Sequence, residues 1–185
     1  MKRRERITDE LLVLRCQEGD AQALAELIDR WQQRLWRHAW RLTGDEAAAW
    51  DVLQEAWIGI SRRLAALEDA TAFPAWAYRI VSNKSRDWIR RQQRRRRADV
   101  TYGGSRRETG EPTVGGHSQA ADLQEALARL PGQDRAILAL RYQDGFDVAE
   151  IAEILHIPAG TVKSRLHYAR ERLREFLKES PDDRF

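Results

Sequence analysis

Leu24, Leu27, Ile28, Trp31, Leu35 and Leu42 recur at intervals near three and four, the period of a helix with one buried stripe. Val52, Leu53, Ala56, Trp57, Ile60 and Leu64 repeat that spacing. Phe73, Trp76, Ala77, Ile80 and Val81 form a third stripe. Glycine–aspartate pairs punctuate the pattern. Gly19 and Gly44 are placed to end helices, and Asp20 and Asp45 to cap the next ones. Residues 8–97 therefore read as helical throughout, led in by Leu11, Leu12 and Leu14. The connection LEDATAFP precedes a fourth helix from about Ala72. Thr71 is its candidate cap, and Pro74 falls in its first turn, where the missing N–H costs nothing.

The pattern stops at residues 98–121, which hold five of the eleven glycines, a proline and almost no large apolar residue. This composition predicts a flexible linker. Helical periodicity resumes over residues 122–178, and the tail SPDDRF is expected to fray. Within the second block, Val148, Ile151, Ala152 and Leu155 make one short apolar face. "HIP" breaks it, and Val162, Leu166, Ala169 and Leu173 make another. Two short amphipathic helices around a tight turn are a helix-turn-helix pattern. His156 stands where many such turns carry glycine, and histidine tolerates positive φ better than most residues. The fold class is all-α: two small helical domains on a tether, the second with a helix-turn-helix.

Charge sharpens this picture. The net charge is only +3, but it is unevenly spread. Residues 122–153 carry seven acids against three arginines, whereas residues 159–178 carry six lysines and arginines against two acids. The second helix of the pair is thus the basic one, as a helix in the major groove should be. Thr161, Lys163, Ser164, Arg165, His167 and Arg170 lie on its non-apolar surface, where side chains reach phosphates and base edges. DNA binding is favoured over a merely solvated helix. One cysteine, Cys16, permits neither an intrachain disulfide nor a cysteine metal cage. No apolar run is long enough for membrane insertion, and no signal peptide is evident. A cytoplasmic protein without cofactor or metal is expected.

The first block presents two charged surfaces. Arg79, Asn83, Arg86 and Arg90 follow at i, i+4, i+7 and i+11, one line down the fourth helix. An asparagine between arginines suits a base edge flanked by phosphates. A charged face in water fits the line equally well. Asp87 interrupts the charge, and Arg91 and Arg94–Arg97 extend it toward the linker. Arg94–Arg97 suit non-specific phosphate attraction. The preceding helix offers Asp45, Glu46, Asp51, Gln54 and Glu55. A metal-dependent nuclease is one reading of these acids, but no histidine joins them at ligand spacing. A protein-docking face flanked by Trp50, Trp57 and Ile58 fits better. Packing is the default for the seven tryptophans. Trp76, Tyr78 and Trp88 stay open as candidates to stack on an unpaired base.

Together these stretches resemble a known family. "GDAQALAELIDRW", "DVLQEAWIGISRRL" and "FPAWAYRIVSNKSRDWIRRQQRR" are similar to successive parts of the sigma-2 domain of bacterial RNA polymerase sigma factors. "LQEALARLPGQDRAILALRY" and "FDVAEIAEILHIPAGTVKSRLHYARERLREFL" are similar to the sigma-4 domain. Two such blocks without a sigma-3 domain resemble the extracytoplasmic-function (ECF) group. The resemblance implies a non-enzymatic initiation factor. Its partners would be core RNA polymerase (clamp helices and flap), promoter DNA and an anti-sigma protein. It implies polymerase docking through Asp51, Gln54 and Glu55, beside Trp57 and Ile58. It assigns Asn83, Arg86, Asp87, Arg90 and Arg91, with Arg79 on the same line, to the −10 element. The connection from Leu64 to Phe73 corresponds to a base-capturing loop, and the basic residues of the last helix to the −35 element. The alternative that remains is an operator-binding regulator independent of polymerase.

Overall fold

The computed structural model describes residues 3–100 and 119–179. The described residues form eight α-helices and two 3-10 turns. The chain divides into two compact units: residues 3–100 belong to the first, and most of residues 119–179 to the second.

In the first unit, α1 (Arg3–Gln17), α2 (Ala21–Thr43), α3 (Glu46–Arg63) and α4 (Phe73–Val100) pack on one another. The expected punctuation is present. Gly19 and Gly44 adopt φ of 91° and 70°, a region open to glycine at little cost. The Asp20 carboxylate accepts from the backbone N–H of Gln22 and Ala23, and Asp45 accepts from that of Ala48, satisfying donors that a helix start leaves unpaired. α1 begins at Arg3, five residues before the expected start at Thr8. Its apolar residues also divide. Leu12 and Val13 are buried, while Ile7, Leu11 and Leu14 are at least half exposed.

The core centres on α2. Ala23, Leu27, Trp31, Leu35, His38 and Ala39 are buried along it. Trp31 stands edge-on to Phe73 and Tyr78, at centroid distances of 5.6 and 6.3 Å. The buried line of α4 differs from the expected stripe. Trp76 and Ile80 are only half-buried, and the line runs through Phe73, Ala77, Tyr78, Val81, Ser82 and Ser85. Ser82 is admitted because its hydroxyl meets His38 Nε2 at 2.8 Å, which meets part of the cost of burying both polar groups. Tyr78, buried to 1% and edge-on to the His38 ring, is a core residue. It is therefore removed from the residues able to stack on a base.

The connection between α3 and α4 is built from 3-10 turns at Leu64–Ala66 and Ala70–Ala72. Asp69 caps the second of these turns. Its carboxylate accepts from the Thr71 backbone N–H at 2.8 Å and from the Thr71 hydroxyl at 2.6 Å. These bonds hold the Asp69 carboxyl below its ordinary range.

The second unit is built mainly from α5 (Gln119–Arg129), α6 (Gly132–Tyr142), α7 (Val148–Leu155) and α8 (Ala159–Glu179), with α5 and α6 packed on α8. Its core includes Ile137, Leu140, Ile151, Val162 and Ala169, none of them accessible to solvent. α4 continues to Val100 and α5 starts at Gln119, so both ends of the expected linker are helical. Residues 101–118 lie outside the described residues, as do the tail residues 180–185 and the Arg97 side chain.

Candidate nucleic-acid and docking interfaces

The helix-turn-helix is assembled from local chemistry. The Asp147 carboxylate accepts from the backbone N–H of Ala149 and Glu150 at 2.7 and 2.8 Å. Glu150 Oε2 accepts from the Asp147 backbone N–H at 2.7 Å. This reciprocal capping box fixes the start of α7. The D-x-x-E spacing is its signal in the sequence, one that hydrophobic periodicity alone does not pick out. At the far end of α7, Ile157 N–H donates to the Ala152 carbonyl at 3.1 Å. His156 takes φ of 49° and is the one non-glycine residue with positive φ among the described residues. A histidine thus supplies the left-handed turn. α8 begins after Pro158, whose carbonyl accepts from Val162 N–H.

Val162, Leu166 and Ala169 face the core of this unit, which turns the intervening positions outward. Lys163, Ser164, His167 and Arg170 are exposed; Thr161 and Arg165 are half-buried. Three of the six are tied locally. Arg165 Nη1 donates to Gln133 Oε1 of α6 at 3.0 Å, and Arg170 Nε to the Leu166 carbonyl at 3.1 Å. Ser164 returns its hydroxyl to the Thr161 carbonyl. Tyr168, 65% exposed and 5.6 Å from the His167 ring, joins the outer face. A large exposed aromatic on a basic helix is the signal that could have found it.

In the first unit the two charged surfaces adjoin. Asp51 and Gln54 are exposed on α3. Glu55 is half-buried and receives Lys84 Nζ at 3.1 Å and Arg91 Nη2 at 3.7 Å, both from α4. A residue read as docking is therefore paired with one read as DNA-binding. On α4, Arg79, Asn83 and Arg86 are half-buried, while Asp87 and Arg90 are exposed. Arg86 Nη1 donates to Asn83 Oδ1 at 3.2 Å, fixing which side of the Asn83 amide stays open as a donor. Ile58 is 45% and Trp50 48% exposed. Trp57 is half-buried, and its indole nitrogen is enclosed with no hydrogen-bond partner, so part of its ring serves packing. Gln17 Nε2 donates to the carbonyls of Leu64 and Leu67 at 3.0 and 2.8 Å. α1 thereby holds the connection before α4, a tie without a sequence signature. Among the described residues, no group of three or more His, Cys, Asp or Glu side chains is arranged to hold a metal. No described helix is long and apolar enough to cross a membrane.

Family models match both units: Sigma-70 region 2 over residues 27–95 and Sigma-70 region 4 over residues 120–173. The ECF RNA polymerase sigma factor SigW of Bacillus subtilis is 30% identical over 173 residues, 88% of this chain and 92% of that one. The ECF sigma-E factor of Escherichia coli K12 is 33% identical over 182 residues, covering 90% and 93%. The chain belongs to the ECF group of sigma factors. It is an alternative sigma factor that directs promoter transcription initiation. SigL of Mycobacterium tuberculosis, another ECF sigma factor, is 38% identical over 169 residues, 87% of this sigma factor and 92% of SigL. Two solved structures share its fold. The sigma factor RpoE, solved with the anti-sigma factor NepR from Bartonella quintana, matches with a TM-score of 0.67 at 24% identity, over 84% of this sigma factor and 97% of RpoE. CnrH, solved with the cytosolic domain of CnrY, matches with a TM-score of 0.63 at 24% identity, over 94% and 99%.

Proposed function

We propose that residues 8–97 form the module that binds core RNA polymerase and the −10 element, and residues 122–178 the module that reads the −35 element. The observation that carries this reading is the pairing of two outward faces: the Asp51–Gln54 edge of α3 and the Lys163–His167–Arg170 face of α8, each exposed. Asp51, Gln54, Glu55, Trp57 and Ile58 dock polymerase. Arg79, Asn83, Arg86, Asp87, Arg90 and Arg91 meet the −10 element. Thr161, Lys163, Ser164, Arg165, His167 and Arg170 meet the −35 element. Each DNA module is small and binds weakly alone. Holding both on one polymerase raises the effective concentration of each for its half of the promoter.

The protein performs no catalysis itself; it acts in the cytoplasm, where polymerase and promoter are. An anti-sigma protein would regulate it by covering these faces, as the relative solved with such a partner suggests. The test is direct. Purified protein is mixed with core polymerase and supercoiled genomic promoter DNA, free of any anti-sigma, and specific transcripts are sought. Transcripts that depend on the protein support the reading. Absence of both a complex with core and any transcript would overturn it. Replacing Asp51 and Glu55 by alanine should weaken core binding while the helical signal is kept; unchanged affinity would remove the docking assignment.

A further inference from the structure

Three tryptophans bridge α2 and α3 beside the acidic edge. Trp36 and Trp40 lie one turn apart on α2, their rings parallel within 3° at a centroid distance of 6.1 Å. Trp36 in turn meets Trp50 of α3 at 5.5 Å. Trp36 and Trp40 are half-buried. Trp50, the outer member, keeps 48% of its surface in water. Leaving that much indole in water forgoes the stabilisation that burying it would bring. Gln54 and Ile58 follow Trp50 at i+4 and i+8, so the three share one exposed face of α3. Asp51 flanks that face, and Asp45 and Glu46 lie exposed at the start of the helix.

An exposed aromatic rigidly backed by two others, continuous with acids and a glutamine, has the composition of an interface centre rather than of ordinary surface. Its charge selects the occupant. An indole face next to carboxylates suits a cationic side chain, which gains from the ring quadrupole and the acids together. We propose that the Trp36–Trp40–Trp50 ledge is the apolar anchor by which this sigma factor grips a basic helical element of core polymerase, with Trp50 as the contacting residue. The proposal rests on the docking role assigned to the α3 edge. It adds to that role a rigid aromatic anchor reaching from α3 onto α2, which neither the acids nor the connection between helices supplies.

The experiment measures binding of the full chain to core polymerase for Trp50→Ala, Trp50→Phe and the Asp51→Ala/Glu55→Ala pair, at about 0.1 and about 0.4 M salt and at a temperature well below each melting midpoint. Trp50→Ala is expected to weaken binding about tenfold, a typical loss for a central interface aromatic. That loss should persist at high salt, and Trp50→Phe should recover most of it. The acidic pair should lose less at high salt, because screening already weakens its contribution. Wild-type affinity for Trp50→Ala beside a weakened acidic pair overturns the ledge and leaves the docking edge standing. Wild-type affinity for both overturns the docking assignment and the ledge with it. A lower melting midpoint for Trp50→Ala with unchanged affinity assigns the tryptophan to packing, and also overturns the proposal.

Discussion

His38 is fully buried, with Nε2 against the Ser82 hydroxyl and Nδ1 lacking any partner. Burial, aided by the charge of Arg41, pushes its pKa down to about 3. The unfolded chain binds this proton near 6.5 and the folded chain refuses it, so protonation favours unfolding. The contribution is intact above about pH 6.5 and is lost as pH falls toward about 3, by about 1.4 kcal/mol per pH unit. His38→Gln should flatten that part of the stability curve between about pH 6.5 and about pH 4.5, measured by urea unfolding. Parallel wild-type and variant curves would show that His38 is not the titrating group. His156 makes the opposite kind of demand, on backbone rather than charge. A left-handed conformation costs a residue with a Cβ about 1 kcal/mol or more, and glycine escapes it. His156→Gly should therefore stabilise the helix-turn-helix unit by about 1 kcal/mol; a destabilised variant would mean that the imidazole itself is needed.

At the scale of elements, the ends of helices are set by single side chains. The Asp147–Glu150 capping box closes the start of α7, and Asp147→Ala should cost about 1 kcal/mol of stability. A thermal midpoint indistinguishable from wild type would leave the box without an energetic role. Between α3 and α4, Glu55 joins Lys84 and Arg91. All three side chains are 38–49% exposed, so water screens the pairs. Glu55→Gln should change stability by less than about 1 kcal/mol. A larger loss in urea unfolding would show that the cluster is a structural clasp. That the acidic and basic surfaces meet here is not visible in helical spacing, which describes each helix alone. Which face of α4 turns toward α3 is decided by how the two helices pack.

For the whole molecule, the long-range term is the positive end of α4. Arg94, Arg95 and Arg96 are all exposed, beyond the line that runs from Arg79 to Arg90. Each phosphate that the protein no longer neutralises makes the slope of log affinity against log salt shallower by about 0.9. Replacing the three by glutamine should reduce the slope for promoter DNA held with polymerase by up to about 2.7, with little change in which promoters are chosen. Changing Asn83 should do the reverse. A change of promoter preference from the arginine variant would erase this division of labour.

The sequence by itself determined the helices, their glycine and aspartate boundaries, the left-handed turn at His156 and the outer surface of α8. Each of these follows from local rules: backbone conformation, side chains bonding to adjacent N–H groups, and the fixed period of a helix. It also carried the family, because the motifs lie along the chain. It did not reveal that Tyr78 is core, that Asp69 binds Thr71 within the connection before α4, or that Gln17 holds the carbonyls of Leu64 and Leu67. Nor did it show Glu55 meeting Arg91, or His38 buried against Ser82. Except for Asp69 and Thr71, two residues apart, these depend on packing between helices or between distant segments. The period of one helix does not encode the angle and register at which another lies against it, and only the tertiary structure decides them.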